Sequence, residues 1–407
     1  MKIDAVVAKT NAETRPYQLR IIQKVSDMFG GRFKNQQGVT ELPARSVMIE
    51  SPTGSGKTVM ALLSCKAFQH ENPDVVIGWI AMRRNLLAQA ARENVRHGIN
   101  VENIHFISMF DKSPDVLLKA KKDGRKVMLV VDEAQHDAAS SMAHLHNIIE
   151  PENILGMTAT PFRTDKMKLC FDKVIKDAGI HQLIQDGYLS KFDHFSIPKW
   201  DAQTVADHYC LDPERWGKSI FYFVNLAECN KLHRIFMERG IRSEVVDGNS
   251  DWEDQLDKFK TGEVPCLINC MKLTEGFDEP SLKTAWVRDS GKGPTMQMGG
   301  RAFRKHNDLP VKNIVQSKNT HWPMIRTAMP RIQYIWQNDQ WMSLQVNPLI
   351  NLINHNARIA IATMEVEMPE FITKNASKRR APRMQQYRGW FRLYLTDIWD
   401  SVTMIVS

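Results

Sequence analysis

Short apolar runs alternate with amphipathic stretches along the first half of the chain. Residues 47–50, 75–80, 104–107, 127–131 and 154–157 each predict a buried strand, and patterns such as 85–97 predict the helices between them. Buried strands alternating with helices mean a parallel α/β sheet, expected over residues 1–200. The same rhythm restarts near Ser219. Strands are expected at 220–224, 243–246, 266–269 and 284–288, with helices at 227–239 and 252–260, giving a second lobe over 218–320. Between the lobes, residues 201–217 are polar and less regular, with Pro213 and Gly217, and predict a linker. Past residue 320 the alternation stops. A C-terminal extension, 321–407, holds five of the ten tryptophans: Trp322, Trp336, Trp341, Trp390 and Trp399. The two lobes share a rhythm but no repeated sequence.

Composition narrows the class. A chain of 407 residues with 43% hydrophobic and 25% charged residues is that of a globular protein, which excludes overall disorder. A formal charge of +8 permits a polyanionic partner without demonstrating one. No run of about 18 apolar residues occurs, which excludes a transmembrane helix and a membrane partner. The first ten residues carry Lys2, Asp4 and Lys9 and no apolar stretch of signal-peptide length. Cys65, Cys170, Cys210, Cys229, Cys266 and Cys270 are scattered, as small buried thiols of a reducing compartment would be. A cytoplasmic location is expected.

The strongest local signal is Ser51-Pro52-Thr53-Gly54-Ser55-Gly56-Lys57-Thr58, between a predicted strand and a predicted helix. Gly54 and Gly56 let the backbone curl so that its N–H groups point inward at phosphate, and the helix adds its positive end. Lys57 is placed to reach the β- and γ-phosphates, and the Thr58 hydroxyl to hold Mg²⁺. The run 127–131 ends in Asp132-Glu133-Ala134-Gln135. A carboxylate at the end of a parallel strand lies beside the ligand crevice. Asp132 is then the second Mg²⁺ ligand, and Glu133 orients or deprotonates the attacking water. In Gln297-Met298-Gly299-Gly300-Arg301-Ala302-Phe303-Arg304, the arginines are three apart and would share a helix face, suited to transition-state charge on phosphate.

These motifs together resemble the superfamily 2 helicases and translocases, in order and spacing over roughly residues 13–305. The resemblance implies an α/β fold of two tandem RecA-like parallel-sheet lobes with a short C-terminal extension, and hydrolysis of ATP with Mg²⁺ at the cleft between lobes. Residues 51–58 resemble motif I, bringing Thr53, Gly54, Ser55, Gly56, Lys57 and Thr58 to the nucleotide. Asp132 to Gln135 resemble motif II of the DExH type, with Gln in the last place. Arg15-Pro16-Tyr17-Gln18 resembles the upstream segment that makes Gln18 the adenine contact. Thr158-Ala159-Thr160 resembles motif III. Thr274-Glu275-Gly276-Phe277-Asp278-Glu279-Pro280 resembles motif V, setting Gly276 and Asp278 at the nucleotide and Thr274 at the nucleic acid. Gln297 to Arg304 resemble motif VI, with Gln297 near the γ-phosphate and Arg301 and Arg304 as arginine fingers. Arg83 and Arg84, with 86–89, fall where motif Ia contacts a strand backbone.

The flavour of the motifs looks most like the DNA-directed branch that holds RadD, UvsW-like phage helicases and the motors of type I and III restriction enzymes. DNA is accordingly the expected partner over RNA. Two other readings stay open: a motor subunit within a repair or restriction assembly, and an RNA helicase or clamp in the DEAD-box manner. The extension adds its own candidates. Lys374, Lys378, Arg379, Arg380, Arg383, Arg388 and Arg392 are interleaved with Tyr387, Trp390, Phe391 and Tyr394, and no acid interrupts them. Such a stretch is either a solvated basic face or a strand contact through Arg379, Arg380, Arg383 and Trp390.

Overall fold

The computed structural model describes residues 3–136, 140–159, 171–247, 252–270 and 279–343. Its first sheet has six parallel strands: β1 (Ser46–Glu50), β2 (Val76–Ala81), β3 (Ile104–Ser108), β4 (Val127–Asp132), β5 (Asn153–Thr158) and β6 (Lys173–Lys176). They lie in the order β3-β2-β4-β5-β1-β6. The continuous apolar runs of β1, β2 and β4 have a simple cause. Helices cover both faces of a parallel sheet, so neither face offers a place for polar side chains. One such helix, Lys57–Glu71, is buried along Met60 to Cys65.

The second sheet has eight strands: β7 (Lys191–Ile197), β8 (Ser219–Phe223), β9 (Ser243–Val246), β10 (Cys266–Cys270), β11 (Thr284–Trp286), β12 (Val311–Ser317), β13 (Gln333–Gln337) and β14 (Gln340–Ser343). Their order is β14-β13-β7-β12-β11-β8-β10-β9, parallel except for the β13–β14 hairpin. The fold is thus the expected α/β arrangement of two parallel-sheet lobes.

The boundaries inside it differ from expectation. β7 belongs to the second sheet, between β13 and β12, although residues 191–197 were expected in the first lobe. Its polar residues disguise it. Asp193 is buried against a two-pronged Arg331 at 2.9 and 2.6 Å, and buried His194 pairs with Gln316 Oε1 at 3.1 Å. The expected linker 201–217 is instead two helices, Ala202–Leu211 and Pro213–Trp216. Ala202, Val205, Ala206 and Tyr209 fall at helical spacing and are buried in the second lobe's aromatic core, beside Trp216. Asp201 caps the first helix by accepting from Thr204 N at 2.8 Å. The expected extension also contributes structure. β13 and β14 turn through Asn338 and Asp339, at φ 51° and 55°, the left-handed pair that a tight two-residue hairpin requires. Their Tyr334 and Trp341 pack on Phe195 of β7.

No helix among the described residues is long and apolar enough to cross a membrane. Cys65, Cys229 and Cys266 are buried, Cys210 and Cys270 half-buried, and all five are free; Cys170 lies outside the described residues.

His194 gives the fold an acid sensitivity. Burial pushes its imidazole down to about 4, against the Gln316 contact that favours the charged form. Between pH 6.5 and 4 the unfolded chain takes up a proton that the folded chain refuses, so stability falls as pH falls through that window. A shift of this size corresponds to about 3 kcal/mol. His194→Gln, neutral at every pH, is expected to lose less stability than wild type between pH 6.5 and 4 in urea titrations. Parallel pH profiles would remove the assignment.

Candidate active site

β1 ends at Glu50 and β4 at Asp132, with β5 between them. Ligands of open parallel sheets bind beyond such carboxyl ends. After β1 the chain turns through residues 51–56 into the helix Lys57–Glu71. Gly54 and Gly56 both sit at φ 80°, a left-handed conformation that a Cβ disfavours. Space enforces the choice at Gly56, where a Cβ would lie 2.5 Å from Gln18 Nε2. The turn is braced from behind. Tyr17 Oη and Gln18 Nε2 donate to the Ser55 carbonyl at 2.6 and 2.9 Å, and Ser51 Oγ donates to Ser55 Oγ at 2.7 Å. Gly56→Ala is expected to cost about 1–2 kcal/mol of backbone strain. It should also weaken ATP-analogue binding by about tenfold or more in a fluorescence titration, since a strained loop aims its N–H groups poorly.

Lys57 is half-buried, and its ammonium donates to the Pro52 carbonyl at 3.3 Å. Burial pushes its pKa down. The Glu133 and Asp132 carboxylates act against that, while the Arg301 and Arg304 guanidinium groups act with it. The same five charged side chains line one cavity of about 220 Å³, together with Thr53, Gly54, Gly56 and Thr58. A lysine beside two carboxylates and two guanidinium groups is a setting of alternating charge, suited to a polyphosphate and a divalent cation. The donor set fits both: a hydroxyl and a carboxylate from Thr58 and Asp132 for the cation, and cationic groups around them for phosphate. A larger cavity, about 560 Å³, opens beside Lys66, Gln69 and His70 and is mostly apolar. Nine residues of helix separate Lys66 from Lys57, about 13 Å, so it is not part of this site.

Glu133 stands at φ 53°. A non-glycine residue in that region carries strain of about 1–3 kcal/mol and is typical of functional turns. Its backbone N–H donates to Asp132 Oδ1 at 2.9 Å. Gln135 Nε2 donates to Glu133 Oε2 at 3.1 Å, and buried Thr158 donates through Oγ1 to Gln135 Oε1 at 2.6 Å. The amide therefore ties the acidic pair to the end of β5, donating at one end and accepting at the other.

The second lobe reaches the cavity through residues 300–304. Gly300 approaches the phosphate loop so closely that a Cβ would lie 3.4 Å from Thr53 Cβ. Ser190 fastens the turn by donating from N to the Phe303 carbonyl at 2.8 Å and from Oγ to the Arg304 carbonyl at 3.1 Å. Arg301 and Arg304 do not share a helix face, as their spacing suggested. The helix Lys292–Gly300 ends before them, Arg301 opens a single 3-10 turn, and Arg304 is extended at ψ 135°. Two glycines at its end and the pull of Ser190 on the backbone favour that exit, and both side chains still reach the cavity.

Of the other expected residues that are described, Gln18, Gln297, Arg83 and Arg84 do not line this cavity. Gln18 is buried behind the loop, its amide engaged by the Ser55 carbonyl and by Arg15 N at 2.8 Å, and it is not on the cavity wall. Gln297 is half-buried on its helix and also off that wall. Arg83 precedes the helix Arg84–Arg96, half-buried, and Arg84 is exposed. Thr274, Gly276 and Asp278, residues 160–163, and the extension's Arg379, Arg380, Arg383 and Trp390 lie outside the described residues. Leu86 and Gln89, expected at a strand backbone, and Glu93, not expected at all, also line the cavity. Their spacing marks one face of a helix, but spacing does not say what that face meets.

Residues 11–163 match the family described as type III restriction enzyme, res subunit. A Saccharomyces cerevisiae protein named as an ATP-dependent helicase, IRC3, is 27% identical over 46% of this chain and 33% of its own length. The 51.5 kDa protein of a Lactococcus phage is 24% identical over 57% of this chain and 56% of that one. A protein of a Sulfolobus islandicus filamentous virus named helicase 22 is 23% identical over 80% of this chain and 67% of that one. The chain thus spans from a third to two thirds of these relatives' lengths. In fold it is similar to the type ISP restriction-modification enzyme LlaBIII, with a TM-score of 0.52 and 16% identity over 78% of this chain and 29% of that one. Dbp5 of S. cerevisiae, bound to Gle1, gives 0.50 and 14% over 75% and 82%. The chain is similar to superfamily 2 helicases of the type III restriction-like branch, and its fold is that of their two RecA-like lobes.

Proposed function

We propose that the chain is an ATP-driven helicase or translocase whose track is DNA. The observation that carries this reading is the meeting of Lys57, Asp132 and Glu133 from the first lobe with Arg301 and Arg304 from the second around one cavity. Lys57 and the loop N–H groups bind the phosphates. Thr58 and Asp132 would hold Mg²⁺, which when bound neutralises phosphate charge. Glu133 takes the proton of the attacking water, oriented by Gln135. Arg301 and Arg304 stabilise charge on the transferring phosphoryl group. Because these groups come from two lobes, the site is complete only when the lobes meet, and a strand bridging them would favour turnover. The preference for DNA rests on the motif pattern and on the match of residues 11–163 to a restriction-enzyme subunit. That match also supports a second reading, a motor subunit in a larger repair or restriction assembly.

An ATPase panel tests the proposal. Low basal turnover stimulated by forked DNA, duplex, junction or single strand supports it. Stimulation by RNA alone would move the protein to the RNA-directed reading. Full activity without nucleic acid would end the motor reading.

A further inference from the structure

The helix Lys292–Gly300 has a different environment at each end. Gly300 meets Thr53, and the chain then leads to the cleft arginines. At the other end Lys292 lies against Trp322, its ammonium 5.6 Å from the ring centre. Arg326 lies against the same ring, its guanidinium carbon at 5.5 Å. Lys292 and Arg326 are exposed, and Trp322 is half-buried, anchored by an Nε1–H that donates to Thr327 Oγ1 at 3.1 Å. Among the described residues neither cation pairs with a carboxylate. The neighbouring acid, Asp289, is engaged elsewhere. It accepts from Thr320 Oγ1 at 3.1 Å, from His321 N at 2.7 Å and from His321 Nδ1 at 2.6 Å. What remains is an anchored aromatic ring with two exposed cations against it, Arg326 also donating from Nη1 to the His321 carbonyl at 3.5 Å. Cations track a phosphate backbone, and an indole or a guanidinium plane stacks on an unpaired base.

We infer that Trp322, Lys292 and Arg326 form a contact for an unpaired nucleic-acid strand on the second lobe. The inference rests on the nucleic-acid reading above and adds a site outside the motifs that support it. It also supplies a physical connection. Nine residues of helix span about 12–14 Å, so a strand held at Lys292 is tied through one rigid element to Arg301 at the nucleotide.

The test is fluorescence anisotropy with thymidine and uridine oligonucleotides of about 20 nucleotides, longer than one such site, over a salt series. The Lys292→Ala/Arg326→Ala protein, altered only at exposed positions, should show a slope of log affinity against log salt smaller by about 1.4, two phosphate contacts having gone. Trp322→Leu keeps apolar bulk and should weaken binding by about 5- to 150-fold, with a much smaller effect on an abasic strand. Loss on either oligonucleotide supports the site, and the larger loss says whether DNA or RNA is the strand held. Wild-type binding with an unchanged slope in the folded double variant overturns this site and leaves the motor reading standing. No binding of any nucleic acid by wild type overturns both.

Discussion

Glu133→Gln is expected to bind ATP with near wild-type affinity and to hydrolyse it at least about a hundredfold more slowly. The substitution keeps shape and removes the proton acceptor. Asp132 and Thr58, the groups suited to the cation, are untouched, and so is Lys57. Lys57→Ala makes the contrast. It removes a cation from a wall that also holds Arg301 and Arg304, so both analogue binding and turnover should fall. Analogue titration and phosphate release together separate the two variants. Near wild-type release by the Glu133→Gln protein would reject the proposed base. The left-handed backbone at residue 133 sharpens the test, because glutamine is as strained there as glutamate. A difference between them reports the carboxylate and not the turn.

Arg304→Ala is expected to lower turnover by about a thousandfold or more while changing ATP affinity far less, because a finger acts on charge that develops in the transition state. Arg304→Lys keeps the charge and loses the planar fork, so partial recovery is expected. Arg301→Ala should behave alike in turnover, but Arg301 is 4% exposed, and its removal leaves a gap beside the phosphate loop. A melting curve is therefore measured with each variant. Equal loss of affinity and no loss of turnover in both would exclude the finger role. The backbone hold on this turn makes a further distinction. Ser190 N grips the Phe303 carbonyl whatever side chain stands at 304, so the turn itself should survive Arg304→Ala.

The turn at 51–56 and the acidic pair were legible because their pattern is local. A strand, a turn with two left-handed glycines and a helix N-terminus are consecutive in the chain, and spacing fixes them. The strands were legible for a related reason. Burial on both faces leaves runs such as 127–131 with no polar residue. β7 was hidden because its polar residues are paid for by partners far along the chain, Arg331 for Asp193 and Gln316 for His194. The helices of 202–216 were hidden because Gln203, Asp207, Glu214 and Arg215 face water, and a partly polar stretch looks like a linker until the opposite face is seen to be buried.

By itself the sequence determined the two-lobed α/β architecture, the strand-turn-helix at 46–71, and which carboxylates and arginines would gather around one cavity. Only the tertiary structure decided that Arg301 and Arg304 reach the cavity from a turn past the helix end, that Gln18 stands behind the loop, and that Gln135 joins Glu133 to Thr158. It alone brought Lys292 and Arg326 onto Trp322. The physical reason is range. Periodicity and turn chemistry act over a few residues, whereas these contacts join segments separated by up to 37 residues, as Gln18 and Ser55 are, or by whole lobes, and are set by packing.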